Sequence, residues 1–189
     1  MHELSQMIKD DMKPALGVTE PGAIAFAVAK ARSFTKGDIK KVNVAMNSGM
    51  YKNAFTCGIP NSNEVGNVFA AALGVVAGNA DKGLESLADV TPEDNVKAQE
   101  MIDQGKVTVE LSGITSRIFI EATVETEEDK AIVTIRDSHT NITKITVNDK
   151  VELETEDEKK TEEDGGEEEA HSIHKYTLQQ LYDYVTTVD

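Results

Sequence analysis

The chain has one cysteine, Cys57, no tryptophan and four prolines among its 189 residues. A single thiol excludes an intrachain disulfide and also a metal cluster held by several thiolates of this chain alone. It agrees with a reducing cytoplasm, because proteins of oxidising compartments usually pair their cysteines. Cys57 is expected to be a small buried hydrophobe, since that is the commoner role of a free cysteine.

Basic residues and long apolar runs are also scarce. Lysine and arginine number 19 against 34 acidic residues, a net charge of −15. No basic stripe exists to neutralise phosphates, so nucleic acid is not an expected partner. The longest apolar stretches, around residues 23–29 and 69–77, fall short of the roughly 20 residues that a membrane span needs. The amino terminus lacks a secretory signal. We therefore expect a cytoplasmic protein that inserts into no membrane.

Most of the negative charge lies in one segment. Between Glu152 and Glu169 there are eleven acidic residues and two lysines, a net of −9 that leaves −6 for the rest of the chain. Low hydrophobicity and high charge predict an acidic disordered loop over 156–172, after a folded domain over 1–155. Residues 173–189 are expected to start a following helix at a Thr177 capping box and to be truncated.

The period of the apolar residues changes halfway along the chain. Helical spacing predicts helices over 2–15, 20–34, 63–76 and 92–104, with one alternating strand over 40–46. Thr19 is the expected N-cap of the second helix, and Thr91 begins the fourth with a capped start. From Val107 onward the period is 2, and polar connections separate successive short strands. These patterns predict an α+β fold in which small-residue-rich helices pack on an antiparallel β-meander, as a two-layer sandwich.

Three polar segments are candidate sites. Thr19 and Glu20 open the second helix, where free N–H groups favour an anion; an ordinary capped helix start explains them equally. Lys52 and Asn53 lie in a predicted loop, where they would hold and orient a carboxylate or simply form a turn. The segment Arg136–Asn141 holds His139 and Asn141. It either connects two strands by hydrogen bonds or supplies an acid–base group through His139.

These segments resemble those of the single-chain L-cysteine desulfidases, which belong with the serine dehydratase α-chain-like proteins. The similarity covers most of residues 3–150, and no P-loop, dinucleotide fingerprint, HExxH or paired CxxC motif points elsewhere. The stretches that carry it are Pro14–Pro21, Tyr51–Ala54 with Gly58–Pro60, Ala71–Gly74, Lys82–Glu85, Ala88–Pro92 and Asp137–Ile142.

The resemblance implies a lyase chemistry. In that family a 4Fe-4S cluster held by three cysteines acts as Lewis acid in a β-elimination that yields pyruvate, ammonia and sulfide or water. It would place Thr19, Glu20, Lys52 and Asn53 beside a small amino-acid substrate. His139 and Asn141 would shape the same pocket.

Two departures from the family pattern limit this prediction. Val18 stands where the family has its first cluster cysteine, and the carboxy-terminal half that holds the other two cysteines is absent. We therefore expect no cofactor in this chain and no activity from it alone. Three hypotheses follow: the amino-terminal half of a lyase that needs its missing half or a separate subunit, a non-catalytic relative that binds an amino acid or a partner, and a structural remnant. The apolar face of the last helix also suggests either a homodimer or docking on a partner.

Overall fold

The computed structural model describes residues 2–115, 117–155 and 173–188, and the chain divides into two compact units. The first, which we call the sheet unit, comprises residues 14–159. The second, which we call the helical pair, joins residues 1–13 to the carboxy-terminal segment from 160 onward. The acidic loop predicted over 156–172 lies outside the described residues. The predicted domain boundaries stay predictions.

The sheet unit alternates helices and strands before it becomes a meander. Its elements in chain order are α2 (Thr19–Arg32), β1 (Ile39–Asn47), α3 (Ser48–Ala54), α4 (Asn67–Ala77), a 3₁₀ turn (Ala80–Glu85), α5 (Pro92–Asp103), β2 (Val107–Gly113), β3 (Phe119–Thr126), β4 (Lys130–Arg136), β5 (Ile142–Val147) and β6 (Lys150–Glu154). The helical pair holds α1 (Glu3–Asp11), a 3₁₀ turn (Ile173–Lys175) and α6 (Leu178–Thr187).

The helix α2 is buried on nearly all sides, as its composition predicts. Its residues from Pro21 to Ala29 and Ala31 are all buried. A helix that is apolar all round is stable only inside a protein core. It contacts α4, the Ala80–Glu85 turn and strands β3 and β4, so it forms the centre of the helical layer.

Small residues let α2 and α4 approach closely. A Cβ added to Gly74 of α4 would lie 2.7 Å from the Ala25 carbonyl oxygen and 2.9 Å from its Cα. One added to Gly78 would lie 2.7 Å from the Ala29 Cβ. Contacts this short leave no room for a side chain, so the glycines set the distance between the two helices.

The six strands form one sheet in the order β2-β1-β3-β4-β5-β6. The predicted α+β fold, with helices packed on the sheet, is confirmed. One pairing departs from a pure meander: β1 pairs with β2 in parallel, while the other pairs are antiparallel. The parallel pairing follows from the connection between them, because α3, α4 and α5 together form the long crossover that parallel strands need.

The alternation of apolar and polar residues along the strands determines which face of the sheet the helices cover. Val42, Val44 and Met46 of β1 are fully buried, and so are their partners Val124, Ala122 and Ile120 of β3. Between them the strands place polar residues on the opposite face, among them Asn43 and Thr123, which pair with each other. The helices therefore cover one face, and the other carries a polar surface.

Several local predictions need correction. The predicted loop with Lys52 and Asn53 is a helix, α3, whose Met50 and Ala54 are buried. Thr19 is the first residue of α2 rather than its N-cap, and the Val18 side chain at the cap position accepts no hydrogen bond. Strand β6 was not predicted, because its Glu152 and Glu154 were assigned to the acidic run.

The capping box predicted at Thr177 is present, and the capped start predicted at Thr91 is a capping box as well. Thr91 accepts the N–H of Asp94 at the start of α5, and the Asp94 carboxylate accepts the N–H of Thr91. This pairing with Thr91 holds the pKa of Asp94 below its usual value. Thr177 and Gln180 form the same arrangement at the start of α6. Within residues 2–115, 117–155 and 173–188, no helix has both the length and the apolar character needed to cross a membrane.

We predict that Gly74→Ala destabilises the sheet unit. Alanine normally improves a helix interior by about 0.5–1 kcal/mol over glycine, but the 2.7 Å approach to the Ala25 oxygen forces the helices apart. We expect a net loss of about 1–3 kcal/mol in the free energy of unfolding, typical of overpacking. Urea unfolding followed by circular dichroism measures it.

Gly58→Ala is the matched control, since an added Cβ meets nothing within 4 Å there. It should leave the free energy of unfolding unchanged or slightly higher. A Gly74→Ala variant as stable as the wild type would contradict the proposed helix contact.

Candidate functional site

Two polar side chains from distant parts of the sequence meet at the start of α2, and a third lies within electrostatic range of them. The Asn53 side-chain amide donates to Glu20 Oε1 over 2.9 Å. His139 lies close enough for the Glu20 carboxylate to act on its pKa. We call Glu20, Asn53 and His139 the polar cluster. Among the predicted site residues, Glu20 and Asn53 are in contact, and His139 is within electrostatic range of Glu20.

The helical layer positions two members of the cluster. Glu20 belongs to the first turn of α2, whose following residues are buried. Asn53 lies near the end of α3, where the buried Met50 and Ala54 fix the helix against the core. The Cys57 thiol donates to the Asn53 carbonyl oxygen over 2.7 Å, which holds the chain after α3. Both polar groups therefore stand on anchored backbone.

The third member, His139, is half-buried in the connection between β4 and β5. Burial lowers the pKa of its imidazole below the usual 6.5, and the Glu20 carboxylate opposes this in part. Desolvation dominates because the charged form loses more hydration than a single partly exposed carboxylate returns. His139 is therefore neutral at neutral pH and offers one nitrogen donor and one nitrogen acceptor.

The turn that carries His139 is held from both sides. Asp137 adopts a left-handed conformation with φ 65°, and its Oδ1 accepts from Arg117 Nε at 2.9 Å and Nη2 at 2.8 Å. The Asn141 side-chain amide donates to the Arg136 carbonyl oxygen over 3.2 Å. Asn141, predicted as a site residue, thus closes the turn with its side chain.

Thr19 and Lys52 lie beside the cluster members in sequence. Thr19 is half-buried at the first position of α2, and Lys52 is exposed next to Asn53 in α3. Val18 at the N-cap is a hydrocarbon side chain, so the first-turn N–H groups of α2 have no side-chain cap. Uncapped N–H groups at the positive end of a helix dipole favour a negatively charged group.

The arrangement combines opposite binding preferences within one small area. The Glu20 carboxylate favours a cation or a hydrogen-bond donor, while the α2 amides favour an anion. Across the part of the chain that the structure describes, no group of three or more His, Cys, Asp or Glu side chains is placed to hold a metal ion.

Comparison with known proteins finds relatives named UPF0597 proteins. One from Clostridium botulinum (strain Hall) is 34% identical over 185 residues, which is 97% of this chain and 43% of that protein. A second UPF0597 protein of the same strain is 37% identical over 157 residues, 83% of this chain and 36% of the relative. The chain thus spans less than half the length of these curated relatives. No family model matches the chain. No solved structure matches it either.

These relatives overturn the resemblance to the L-cysteine desulfidases and serine dehydratase α-chain-like proteins. The prediction that the chain is the amino-terminal half of an iron–sulfur lyase is wrong, and so is the non-catalytic member of that family offered beside it: the similarity is to UPF0597 proteins over 97% of the chain. The motifs behind the prediction form a helix start, a short helix and a strand connection. Glycine, proline, asparagine and threonine recur at such places for reasons of backbone geometry.

Sequence reasoning missed Arg117. It lies before β3, twenty positions from the Asp137 that it binds, and no local pattern links the two. The strand pairing supplies the link, because Phe119 at the start of β3 is opposite Arg136 at the end of β4. The sequence signal that could have predicted this ion pair is therefore an arginine just before one strand and an aspartate just after its antiparallel neighbour.

We predict that His139 titrates below its usual value of 6.5, measured by NMR of its ring protons. Glu20→Gln should lower the pKa of His139 further, because it removes the carboxylate that stabilises the imidazolium. His139 binds its proton more tightly in the unfolded chain than in the folded one. The free energy of unfolding should therefore decrease as the pH falls from about 6.5 to the folded-state pKa, and His139 should have no effect on it at higher pH.

Glu110→Gln is the control for this titration. Its carboxylate also accepts from an asparagine amide, Asn43, over 2.8 Å, but on strand β2. It should leave the pKa of His139 unchanged. A His139 that titrates at or above 6.5, or that ignores Glu20→Gln, would contradict the described environment.

Proposed function

We infer that the sheet unit binds a small α-amino acid at the polar cluster. One observation carries this inference: the Asn53–Glu20 hydrogen bond of 2.9 Å forms beside a half-buried histidine from a third segment. A partly exposed bond of this kind contributes only about 1 kcal/mol to stability. Convergent polar groups on rigid elements are typical of ligand sites.

The chemistry of an α-amino acid matches the cluster at both ends. Its ammonium group suits the Glu20 carboxylate, which has a second oxygen besides the one bound to Asn53. Its carboxylate suits the uncapped first-turn amides of α2, with the Thr19 hydroxyl as a further donor. The exposed ammonium of Lys52 would add positive charge on that side.

His139 and Asn141 have different roles in this proposal. The neutral His139 imidazole would donate to or accept from the ligand, which favours a small polar side chain over an apolar one. Asn141 would act through the turn, since its amide is bound to the Arg136 carbonyl oxygen. The proposed ligand is of the class that the resemblance implied, a small amino acid, without the elimination chemistry.

The names of the relatives state neither ligand nor activity, and the chain spans 43% of the first of them. The proposal therefore concerns binding by this chain.

We also propose that the protein is cytoplasmic, and the single cysteine supports this location.

Isothermal titration calorimetry of the full chain against glycine, alanine, serine and cysteine tests the proposal. We predict binding of at least one of these amino acids, and a dissociation constant at least tenfold weaker, about 1.4 kcal/mol, in Glu20→Gln. The carboxamide cannot pair with an ammonium group as a carboxylate does.

Glu110→Gln serves again as the matched control, because it alters a carboxylate with an equivalent asparagine partner on the polar sheet face. It should bind as the wild type does. The proposal fails if no amino acid binds at millimolar concentration, or if Glu20→Gln binds as tightly as the wild type. The polar cluster would then only stabilise the turn and the helix start.

A further inference from the structure

An open apolar groove runs between the two helices of the helical pair. It has a volume of about 570 Å³. Residues of both helices and of the turn before α6 line it. Its apolar lining includes Leu4, Met7, Ile8, Met12, Leu181 and Val185.

Three of the lining side chains are far more exposed than apolar side chains of a core, although Leu4 is buried. Met12 is 70% exposed, Val185 66% and Ile8 47%. In α6 no residue is buried, and in α1 only Leu4 is. Contiguous apolar surface of this kind marks a binding face rather than scattered exposure.

Polar contacts hold the pair together at one end and leave the groove open. Glu3 of α1 pairs with Lys175 and accepts from the Tyr176 hydroxyl over 2.6 Å. Ser5 Oγ and the Tyr184 hydroxyl are 2.8 Å apart. The two helices thus have a defined relative position before any partner binds.

The two short helices of the helical pair leave part of their apolar surface unburied when they pack only on each other. With 9 and 10 residues, α1 and α6 are shorter than the roughly 12–15 residues at which isolated helices become even marginally stable in water. A third helix laid in the groove would bury the apolar faces of both. Helix-in-groove recognition of this kind uses apolar residues at spacings i, i+3, i+4 and i+7.

The relatives indicate where such a helix comes from. The 34% identical relative matches 97% of this chain and yet has more than half of its length outside the match. A polypeptide similar to nearly all of this chain therefore also carries an additional segment of comparable size. The groove is an apolar surface of the helical pair on which such a segment can pack.

Charge favours such a segment over a second copy of the chain. Each copy has a net charge of −15, so two copies repel each other. Asp11 lines the groove itself, and a second copy would bring another Asp11 near it. A helix with basic residues beside its apolar stripe would instead be attracted.

From these observations we propose that the groove binds an amphipathic, basic-flanked helix from the part of the UPF0597 polypeptide that this chain does not match. The helix inserts its apolar stripe between α1 and α6. The helical pair and the bound helix then form a three-helix arrangement. The basic flank of the bound helix lies beside Asp11.

Labelled synthetic peptides of about 20 residues, long enough for a 30 Å helix, would tile the unmatched part of the 34% identical Clostridium botulinum relative. Fluorescence anisotropy with the full chain measures their binding. We expect one peptide or two overlapping ones to bind, and Val185→Asp to weaken that binding at least tenfold, because it places a charge in the apolar groove.

Val96→Asp is the matched control: Val96 of α5 is 60% exposed, close to the 66% of Val185, and lies in the sheet unit. It should bind the peptide as the wild type does. Because both valines are exposed, neither variant should unfold, and circular dichroism checks this.

Three results would overturn the proposal. The first is that no peptide of the tiled set binds. The second is that Val185→Asp binds the peptide as tightly as Val96→Asp does. The third is that sedimentation of the chain alone shows a dimer that Val185→Asp dissociates, because a second copy then occupies the groove.

Discussion

The close contact between α2 and α4 is the constraint on which the rest of the sheet unit depends. Gly74 lies against the Ala25 backbone and Gly78 against Ala29, so the two helices pack at a distance that no larger residue permits. Gly22 allows a similarly close contact between α2 and the Ala80–Glu85 turn, since a Cβ there would lie 3.0 Å from the Leu84 oxygen. Packed in this way, α2 presents its apolar residues to the helices and to β3 and β4 at once. Its first turn is therefore fixed in position.

The polar cluster is a consequence of that architecture. Glu20 begins the buried helix, α3 brings Asn53 to it, and the sheet delivers His139 on the β4–β5 turn. The turn is in place because β4 lies under α2 and because Arg117 binds Asp137. A site assembled from the helical layer and the sheet depends on both layers being correctly packed. This dependence explains why residues so far apart in sequence act on one another.

The sequence predicted the fold wherever the signal was periodic or local. Alternation located the strands from β2 to β5, and Thr91 and Thr177 marked two helix starts that the structure has. It failed where tertiary contacts decide: α3 has seven residues, too few for a period, and its anchors Met50 and Ala54 were unremarkable in a Gly- and Asn-rich stretch. The parallel β1–β2 pair was equally invisible, since alternation does not encode strand order. Glu20, Asn53 and His139 were named in advance, but Arg117 was not, because its partner is set by strand register.

Amide hydrogen exchange along α2 tests the account most directly. If α2 is fixed by its contact with α4, the amides from Ala25 to Ala29 exchange only through global unfolding, whereas those of the exposed α1 exchange through local opening. The account predicts that the α2 amides are among the slowest in the chain and that denaturant accelerates them with the slope of complete unfolding. Amides of α2 that exchange as fast as those of α1 would contradict it.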